Sequence, residues 1–258
     1  MKHYIAERTA TALLCAAMTV VIAGCGADSA EVDAKSTSTS TGTAHPFDAM
    51  TSEQIDNQVR ETLRNTTSMR LTGKASSEGR QAKFDLAMDV HGSCNGTVDN
   101  SLGSIRIIKK GSLVHVKAEE EYWRATFSRG MTAELTEEMV AAFKGRWIKP
   151  PKMMSETIGR ICEPLEGMIE AISPVSDGTA TREADATVGG RPVVVLTERS
   201  PTRTVTLYIA KEGKPHVLRS TVARGDEPMD DLIVTDHDKP VDTTPPPPDE
   251  ILDPTTLR

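Results

Sequence analysis

Aromatic side chains are scarce in this chain: Phe, Tyr and Trp together make up 3% of its 258 residues. Proteins that bind sugars or bases by stacking use aromatic rings, so an extensive stacking surface is not expected. An excess of positive charge is also missing, because 37 Asp and Glu outnumber 30 Lys and Arg and leave a formal net charge of -7. Nucleic acid binding rewards clustered Lys and Arg, so we expect no nucleic acid partner.

Sequence signatures of catalysis are absent as well. The chain contains no Gly-x-Ser-x-Gly elbow, no His-Glu-x-x-His helix and no Walker or dinucleotide-binding loop. His91, His115 and His216 occur singly on predicted strands, where exposed or hydrogen-bonded histidines are more common than general bases. Asp236-His237-Asp238 would place successive side chains on opposite faces of a strand end, which favours a turn over a metal site. We therefore expect no enzyme activity, no metal and no cofactor.

No apolar run near the amino terminus is long enough to span a bilayer. Ala10–Ile22 carries no charge but is only 13 residues long, whereas a membrane-spanning helix needs about 20. Basic Lys2 and Arg8 precede this run. A basic start followed by a short apolar run is the layout of a secretory signal peptide, which we favour over a transmembrane anchor.

The residues at the end of the apolar run resemble the lipobox of bacterial lipoprotein precursors. Ile22, Ala23 and Gly24 stand before Cys25; small residues admit the backbone to the signal peptidase, and the thiol accepts a diacylglycerol. The resemblance implies cleavage between Gly24 and Cys25 and acylation of Cys25, for example with palmitate. Two acyl chains anchor a protein stably, so we expect a lipoprotein on the extracytoplasmic face of the cell membrane. The alternative is an ordinary secreted protein whose leader happens to contain a cysteine.

Cysteines are few, and two remain for the folded part of the chain. Of the four, Cys15 lies in the predicted leader and Cys25 is the predicted lipidation site. Cys94 and Cys162 remain, and two thiols in an exported, oxidising setting favour a disulfide. A metal or redox pair is the alternative, but the chain has no Cys-x-x-Cys and no His at ligand spacing.

Composition divides the chain into a signal peptide over 1–24, a lipidated cysteine with a tether over 25–46, and one domain over 47–258. The tether is mainly Ser, Thr, Ala, Asp and Gly with almost no apolar side chain, which is typical of a flexible linker. About 20 such residues reach roughly 25 Å. The domain would therefore stay close to the membrane surface.

Apolar periodicity after residue 47 predicts a mixture of helices and antiparallel strands. Thr51–Asn65 begins with a capping box and carries Ile55, Val59 and Leu63 on one helical face. Alternating apolar and polar residues predict two strands, Met69–Ala75 and Phe84–Val90. Short segments separated by turn residues predict eight more: Cys94–Val98, Ser104–Lys109, Leu113–Lys117, Thr179–Val188, Arg191–Glu198, Arg203–Ala210, His216–Ala223 and Asp231–Asp236.

Helices are also predicted between the two groups of strands. Leu135–Phe143 has helical spacing and ends near Gly145, a residue type that favours a helix C-terminus. Ile158–Ile172 has a second apolar helical face, which Pro164 must break or kink. Near the carboxyl terminus, Pro245–Pro248 predicts an extended segment that packs along the domain.

Charge and apolarity also predict which segments are exposed and which are buried. We assign Glu119–Glu121 to a hairpin turn and Glu137–Glu138 to the outer face of a helix, where carboxylates are ordinarily solvated. Tyr122, Trp123 and Phe127 follow this turn without a predicted element. The continuous apolar run Val193–Leu196 predicts the most buried strand.

Three stretches carry a resemblance to a known family: Leu63–Leu71 entering the first strand, Gly111–Trp123 around the third hairpin, and Ile233–Val241 leading into Pro245–Pro248 and Asp249. Together with the order of elements, they resemble the LppX/LprAFG group of envelope lipoproteins and the related LolA/LolB lipoprotein carriers. The resemblance covers about residues 50–253. It implies an α+β fold in which a strongly curved antiparallel sheet, an incomplete β-barrel, wraps around helices packed on its concave face.

The resemblance also implies an apolar cavity that takes a lipid or an acyl chain. Eight apolar residues of the predicted strands are candidates to line it: Met69, Leu71, Phe84, Leu86, Met88, Val90, Ile105 and Ile107. A solid core satisfies the same alternation. Two functions are therefore expected side by side: a lipoprotein that binds or transfers an apolar envelope ligand, and a surface-displayed, non-enzymatic interaction or sensor domain with a solid core that binds another envelope protein.

Overall fold

The structure of this chain, a computed structural model, describes residues 45–77, 80–162, 165–173, 179–225 and 229–254. The predicted signal peptide, its cleavage pair Gly24 and Cys25, and the tether up to residue 44 lie outside the described residues, as does Pro164. The described residues belong to one structural unit, Thr43–Arg258. No helix among them is long and apolar enough to cross a membrane.

Along the described residues, one helix precedes a first group of strands, four helices with one short strand among them follow it, and a second group of strands comes last. The helices are α1 (Ser52–Arg64), α2 (Glu120–Phe127), α3 (Ala133–Phe143), α4 (Lys152–Gly159) and α5 (Leu165–Ile172). The strands are β1 (Ser68–Ser77), β2 (Arg80–Asp89), β3 (Cys94–Asn100), β4 (Gly103–Lys110), β5 (Leu113–Ala118), β6 (Trp147–Ile148), β7 (Thr179–Arg182), β8 (Ala186–Val188), β9 (Arg191–Arg199), β10 (Thr204–Ala210), β11 (Val217–Ala223), β12 (Asp230–Thr235) and β13 (Ile251–Leu252).

Two meanders form one large, curved antiparallel sheet that does not close on itself. The first meander is β5-β4-β3-β2-β1, the second is β12-β11-β10-β9, and they join where β1 pairs with β12. Short strands extend both ends: β6 and the parallel β13 lie beyond β5, while β7 and β8 pair with β9. The α+β class with a curved, incomplete antiparallel sheet is therefore confirmed. The pairing of β1 with β12 was not predicted.

Two segments differ from the predicted elements. Thr179–Val188, predicted as one strand, forms β7 and β8, which pair with different parts of β9; between them Asp185 pairs with Lys211 (2.6 Å) and with Arg182 (3.3 Å). Glu119–Glu121, predicted as a hairpin turn, instead starts α2, with Glu119 as the N-cap residue. Carboxylates in the first turn of a helix are stabilised by the helix dipole, which explains why this acidic run can begin a helix.

Helix α1 is shaped by its predicted capping box and apolar stripe. Thr51 Oγ1 accepts a hydrogen bond from Gln54 N (3.2 Å), and Gln54 Oε1 accepts one from Thr51 N (2.9 Å). Ile55, Val59 and Leu63 are buried in the main core. The cap satisfies backbone N–H groups that the first turn leaves without partners, and the stripe attaches the helix to the sheet.

Strand β9 is buried on both faces, as the continuous run Val193–Leu196 predicts. Val194 and Leu196 belong to the main core, whereas Val193 and Val195 pack with Ala210 and Leu218 in a second, smaller cluster. Successive side chains of a strand point to opposite faces. A run without alternation therefore marks a strand that is covered on both sides.

Four of the chain's aromatic residues form one cluster between α2, which carries three of them, and α3, which carries the fourth. The ring of Trp123, which is fully buried, lies 5.1 Å from that of Phe143 and 5.8 Å from that of Phe127. Tyr122 contacts Trp123 edge to face at 5.5 Å. Trp123 and Phe127 are four residues apart, so they lie on one face of α2, and packing of this face against α3 accounts for the helix that periodicity alone did not predict.

The predicted disulfide and the predicted helix break occur next to each other. Cys94 of β3 is bonded to Cys162, with a Cα–Cα distance of 5.7 Å. The apolar segment Ile158–Ile172 forms α4, a 3-10 turn at Arg160–Cys162, and α5. The disulfide therefore holds the end of the α4 segment against the sheet.

The Pro-rich carboxyl-terminal segment packs along the domain, as predicted. Asn95 Nδ2 donates to Asp242 O (2.7 Å), and Ser68 Oγ donates to Lys239 O (2.5 Å). Further along, Lys149 N donates to Leu252 O (3.0 Å) where β13 pairs with β6. The segment thus runs from β1 across β3 to the edge of the first meander.

Candidate functional site

Most residues that were predicted to line a cavity lie in a packed core. Six of the eight are buried in the main apolar cluster: Met69, Leu71, Leu86, Met88, Ile105 and Ile107. Phe84 is half-buried and packs against this cluster. Val90 lies after the end of β2 and is 39% exposed, because the strand gives way to a turn at this point.

A groove opens where this core reaches the end of the first meander. It lies between the β4–β5 hairpin and α4, has a volume of about 540 Å³, and is called the hairpin groove below. Its lining residues are Lys109, Gly111, Ser112, Leu113, Val114, Lys149, Pro150, Lys152, Ser155, Glu156, Gly159, Arg160 and Cys162. Small-molecule sites commonly measure about 300–1,000 Å³, so the groove has the size of a ligand site.

The floor of the hairpin groove continues the core-facing side of the sheet. Cys94, Lys109 and Val114 are direct neighbours across β3, β4 and β5, and directly opposed residues of antiparallel strands lie on the same face. Lys109 follows Ile105 and Ile107 at two-residue spacing, so it lies on the face that carries the core. The groove is therefore the solvent-open end of the sheet face that was predicted to hold a ligand.

Helix α4 forms the opposite wall with one of its faces. Lys152, Ser155, Glu156 and Gly159 all line the groove, and their i, i+3, i+4, i+7 spacing places them on one side of the helix. Ile158 points away into the core. Gly159 leaves room, since a Cβ at this position would meet only Lys109 Cε, at 3.7 Å.

Basic side chains surround the apolar floor of the groove. Four of the lining residues are basic and one is acidic, although the chain as a whole is acidic. Lys109 Nζ donates to Gly92 O. Neighbouring His115 is buried, and both burial and the charge of Lys149 lower its pKa. The groove thus combines an apolar floor that includes Val114 and Pro150 with a cationic rim.

A second groove of about 570 Å³ lies between α1, α5 and the turn that contains Val90. Val90 is the member of the eight candidates that lines one of these grooves. The other side chains there include Arg60, Arg64, Glu166 and Glu170, with charges of both signs. This mixed, more polar lining suits an apolar ligand less well than the hairpin groove does.

Asp236-His237-Asp238 forms a turn, as predicted. Asp236 and Asp238 have φ values of 50° and 59°, a left-handed conformation that Asp tolerates better than most residues. Asp238 Oδ1 accepts a hydrogen bond from Thr67 N (2.9 Å), which ties the turn to the start of β1. Among the described residues, no three His, Cys, Asp or Glu side chains are grouped to hold a metal ion.

The predicted acidic clusters are engaged in ion pairs on the surface. Glu120 Oε1 lies 2.7 Å from Lys144 Nζ, and Glu137 pairs with Arg124 at 2.7 Å. The hydrogen bond from Arg124 lowers the pKa of Glu137. These contacts join α2 to α3.

Sequence reasoning missed the residues of the α4 wall. The signal was present in the i, i+3, i+4, i+7 spacing of Lys152, Ser155, Glu156 and Gly159, but the predicted helical segment began at Ile158 and left the first three of these residues unassigned. Lys149 and Arg160 could not have been placed, since their common position depends on the disulfide and on the β5–β6 pairing.

Comparison with protein-family models finds no match, and comparison with curated protein sequences finds none either. Solved structures give weak matches. An uncharacterized conserved protein from Thermus thermophilus has a TM-score of 0.33 and 12% identity over 79% of this chain and 99% of its own. MucB in complex with MucA(peri) has a TM-score of 0.33 and 11% identity over 74% of this chain and 57% of MucB. A LolA superfamily protein from Nitrosomonas europaea has a TM-score of 0.24 and 10% identity over 75% and 95%. Similarity at this level does not define the family of the chain.

Proposed function

We propose that this protein is a membrane-anchored, extracytoplasmic lipoprotein of the LppX/LprAFG type, with a LolA-like domain whose helices pack on the concave face of its sheet. In this proposal the protein is not an enzyme. It binds or transfers an apolar envelope ligand, a lipid or an acyl chain. The observation that carries the proposal is the hairpin groove, an open site of about 540 Å³ with an apolar floor.

The groove replaces the interior cavity as the proposed ligand site. The six buried candidates fill the space between sheet and helices with their own side chains, and protein interiors are packed too densely to admit an acyl chain without rearrangement. At the end of the same sheet face, Lys109 and Val114 border open space instead. An apolar chain can occupy this site without displacing the core.

Anchoring rests on the lipobox and on the way the domain begins. The 3-10 turn Pro46–Ala49 is attached by the buried ring of Phe47 and by Asp48, which lies 3.4 Å from Lys211 and 3.5 Å from Arg182. These contacts attach the chain to the rest of the domain from residue 46 onward. The roughly 20 preceding residues after Cys25 would keep the groove within reach of a bilayer.

Ligand extraction with a groove-filling variant tests the binding proposal. Residues 25–258 carrying Cys25→Ser are exported behind a cleavable leader, purified without detergent, and analysed by native mass spectrometry and organic extraction. We expect a co-purified lipid that Gly159→Leu removes, because the leucine side chain would project into the groove. Gly130→Leu is the matched control, since a Cβ at Gly130 meets nothing within 4 Å. Absence of any bound lipid, or equal occupancy in both variants, contradicts the proposal.

Anchoring is tested separately by metabolic labelling with a palmitate analogue. The full chain should incorporate the label, Cys25→Ser should lose it, and Cys15→Ser should keep it because Cys15 lies in the predicted leader. Mass spectrometry of the amino-terminal peptide then locates the acyl groups. A labelled Cys25→Ser variant would show that the lipobox interpretation is wrong.

The second candidate function is a surface-displayed interaction or sensor domain that binds another envelope protein. The filled core favours it, since six of the eight candidate residues contribute to a solid interior. Two results would support this second function. A protein partner would cross-link in the native membrane equally well to the wild type and to Gly159→Leu, and no lipid would co-purify.

A further inference from the structure

The hairpin groove concentrates positive charge in a protein that is otherwise acidic. Lys109, Lys149, Lys152 and Arg160 line it together with a single carboxylate, Glu156, whereas the whole chain has a formal net charge of -7. We infer that the ligand of this groove is an anionic single-chain amphiphile: its chain lies on the apolar floor and its carboxylate or phosphate headgroup binds the cationic rim. This inference rests on the proposed function and specifies its ligand.

The two acidic groups near the rim leave most of this positive charge available. Lys152 Nζ lies 4.0 Å from Glu156, and Lys149 Nζ lies 3.9 Å from Asp253. Both distances are at the limit of an ion pair, and both lysine side chains are more than half exposed. Exposed pairs of this kind are weak, so an anionic headgroup can compete for the lysines.

Of the four basic residues, Arg160 gives the clearest evidence for an anionic ligand. In the part of the chain that the structure describes, its guanidinium has no hydrogen bond and no ion pair, although it lines the groove. A basic residue after the last turn of α4 also complements the helix dipole. The helix dipole therefore accounts for a positive charge at Arg160. It does not account for the three lysines of the rim.

Apolar and basic side chains line the same groove. Lys109 Cε lies 3.7 Å from the position of a Cβ at Gly159, while Lys109 Nζ donates to Gly92 O outside the lining, in the manner of lysines that cover apolar surface and keep the ammonium in a polar environment. Leu113, Val114 and Pro150 supply the apolar contact area. A molecule that can contact both the apolar and the basic side chains has an alkyl chain and one negatively charged end.

Binding of three probes that share one chain length tests the inference. Dodecanoate, dodecyl phosphate and dodecanol are titrated below their aggregation concentrations into residues 25–258 carrying Cys25→Ser. We expect both anions to bind about tenfold more tightly than the alcohol, because hydrogen bonds between charged partners are stronger than neutral ones. The tighter of the two anions identifies the headgroup as a carboxylate or as a phosphate.

Charge variants show whether the rim causes the preference. Arg160→Gln should weaken binding of the anions about fivefold without changing the affinity for dodecanol, and Arg160→Lys should restore most of the loss. Lys110→Gln removes the same charge from an exposed position beside the groove that does not line it, so affinity should change less than about twofold.

The outcomes separate this inference from the function on which it rests. Equal affinity for the alcohol and the two anions, or equal effects of Arg160→Gln and Lys110→Gln, overturns the anionic ligand and leaves an apolar ligand in place. Failure of all three probes to bind, together with no co-purified lipid, overturns the proposed function itself.

Discussion

The imidazole rings of His216 and His237 are stacked, with ring centroids 4.2 Å apart. His237 Nε2 lies 3.0 Å from Val217 O, whereas His216 Nδ1 is buried and has no hydrogen-bond partner among the described residues. Burial, followed by the charge of His216, lowers the pKa of His237 to about 4; burial also lowers the pKa of His216. Lys214 and Arg191 add positive charge and oppose the effect of Asp238.

The first prediction is that the free energy of unfolding falls as pH is lowered from about 6.5 to about 4. In the unfolded chain a histidine titrates near 6.5, so in this window the unfolded chain binds a proton that folded His237 does not. Protons therefore favour unfolding. We expect His237 to account for up to about 2 kcal/mol after allowance for solvent screening, measured by urea denaturation at a series of pH values.

His237→Asn should flatten this pH dependence, because the variant has no titrating group at this position. His91→Asn is the matched control, since His91 lies in an exposed turn after β2. Comparison of the variants also removes the contribution of carboxylates that are common to all of them. An unchanged slope in His237→Asn would contradict the assignment.

The second prediction concerns the disulfide between Cys94 and Cys162. Its sequence separation of 68 residues corresponds, through loop-closure entropy, to about 4 kcal/mol of stability. We expect the Cys94→Ala/Cys162→Ala variant to lose this amount and to melt about 10 °C lower in calorimetry. A variant that melts within about 2 °C of the wild type would show that the α4 segment is held by packing alone.

The third prediction concerns a carboxylate that the sheet buries. The side chain of Glu198 in β9 is 2% exposed, and Arg60 Nη2 lies 3.6 Å away while Arg60 Nε lies 2.8 Å from Asp56. We expect Arg60→Met to cost roughly 3 kcal/mol in urea denaturation, since the variant removes a cationic partner of a buried carboxylate. Glu198→Gln in the Arg60→Met background should recover part of this loss. Additive effects in the double-mutant cycle would show that the two side chains do not interact.

The fourth prediction concerns the junction of the two meanders. Gly73 in β1 has φ +153°, and a Cβ on it would lie 2.0 Å from Asp231 O of β12. Gly73→Ala must therefore push β1 and β12 apart, and we expect a loss of more than about 2 kcal/mol in the free energy of unfolding. Gly130→Ala, at a position with open space, should change stability by less than about 0.5 kcal/mol. Similar urea midpoints for both variants would refute the close approach.

Local patterns predicted the elements that depend on local physics. The capping box of Thr51 and the stripe of Ile55, Val59 and Leu63 place α1 within one residue of each end. Alternation, together with turn residues between short segments, predicted β1 to β5 and β10 to β12, because one face of each strand packs on the core, and the continuous apolar run Val193–Leu196 predicted β9. Helix α2 was missed since its evidence is the contact of Trp123 with Phe143, a partner 20 residues away in the sequence.

The candidate site was predictable only in part. Six of the eight candidate residues lie on the core-facing side of the first meander, and two of these, Ile105 and Ile107, lead directly to Lys109 at the groove. Whether this face borders a core or open space depends on how far the helices cover it. That coverage is set by the position of α4, which is held through Cys162.

The sequence by itself determined the strands, the main helix, the cysteine pair and the expectation of a lipid-anchored protein, since each of these follows from the types and spacing of nearby residues. Only the tertiary structure decided that β1 joins β12, that the predicted cavity residues form a core, and that Lys109, Lys149, Lys152 and Arg160 surround one groove. The physical reason is that periodicity records which face of an element avoids water. It does not record which distant element covers that face, or where the covering ends.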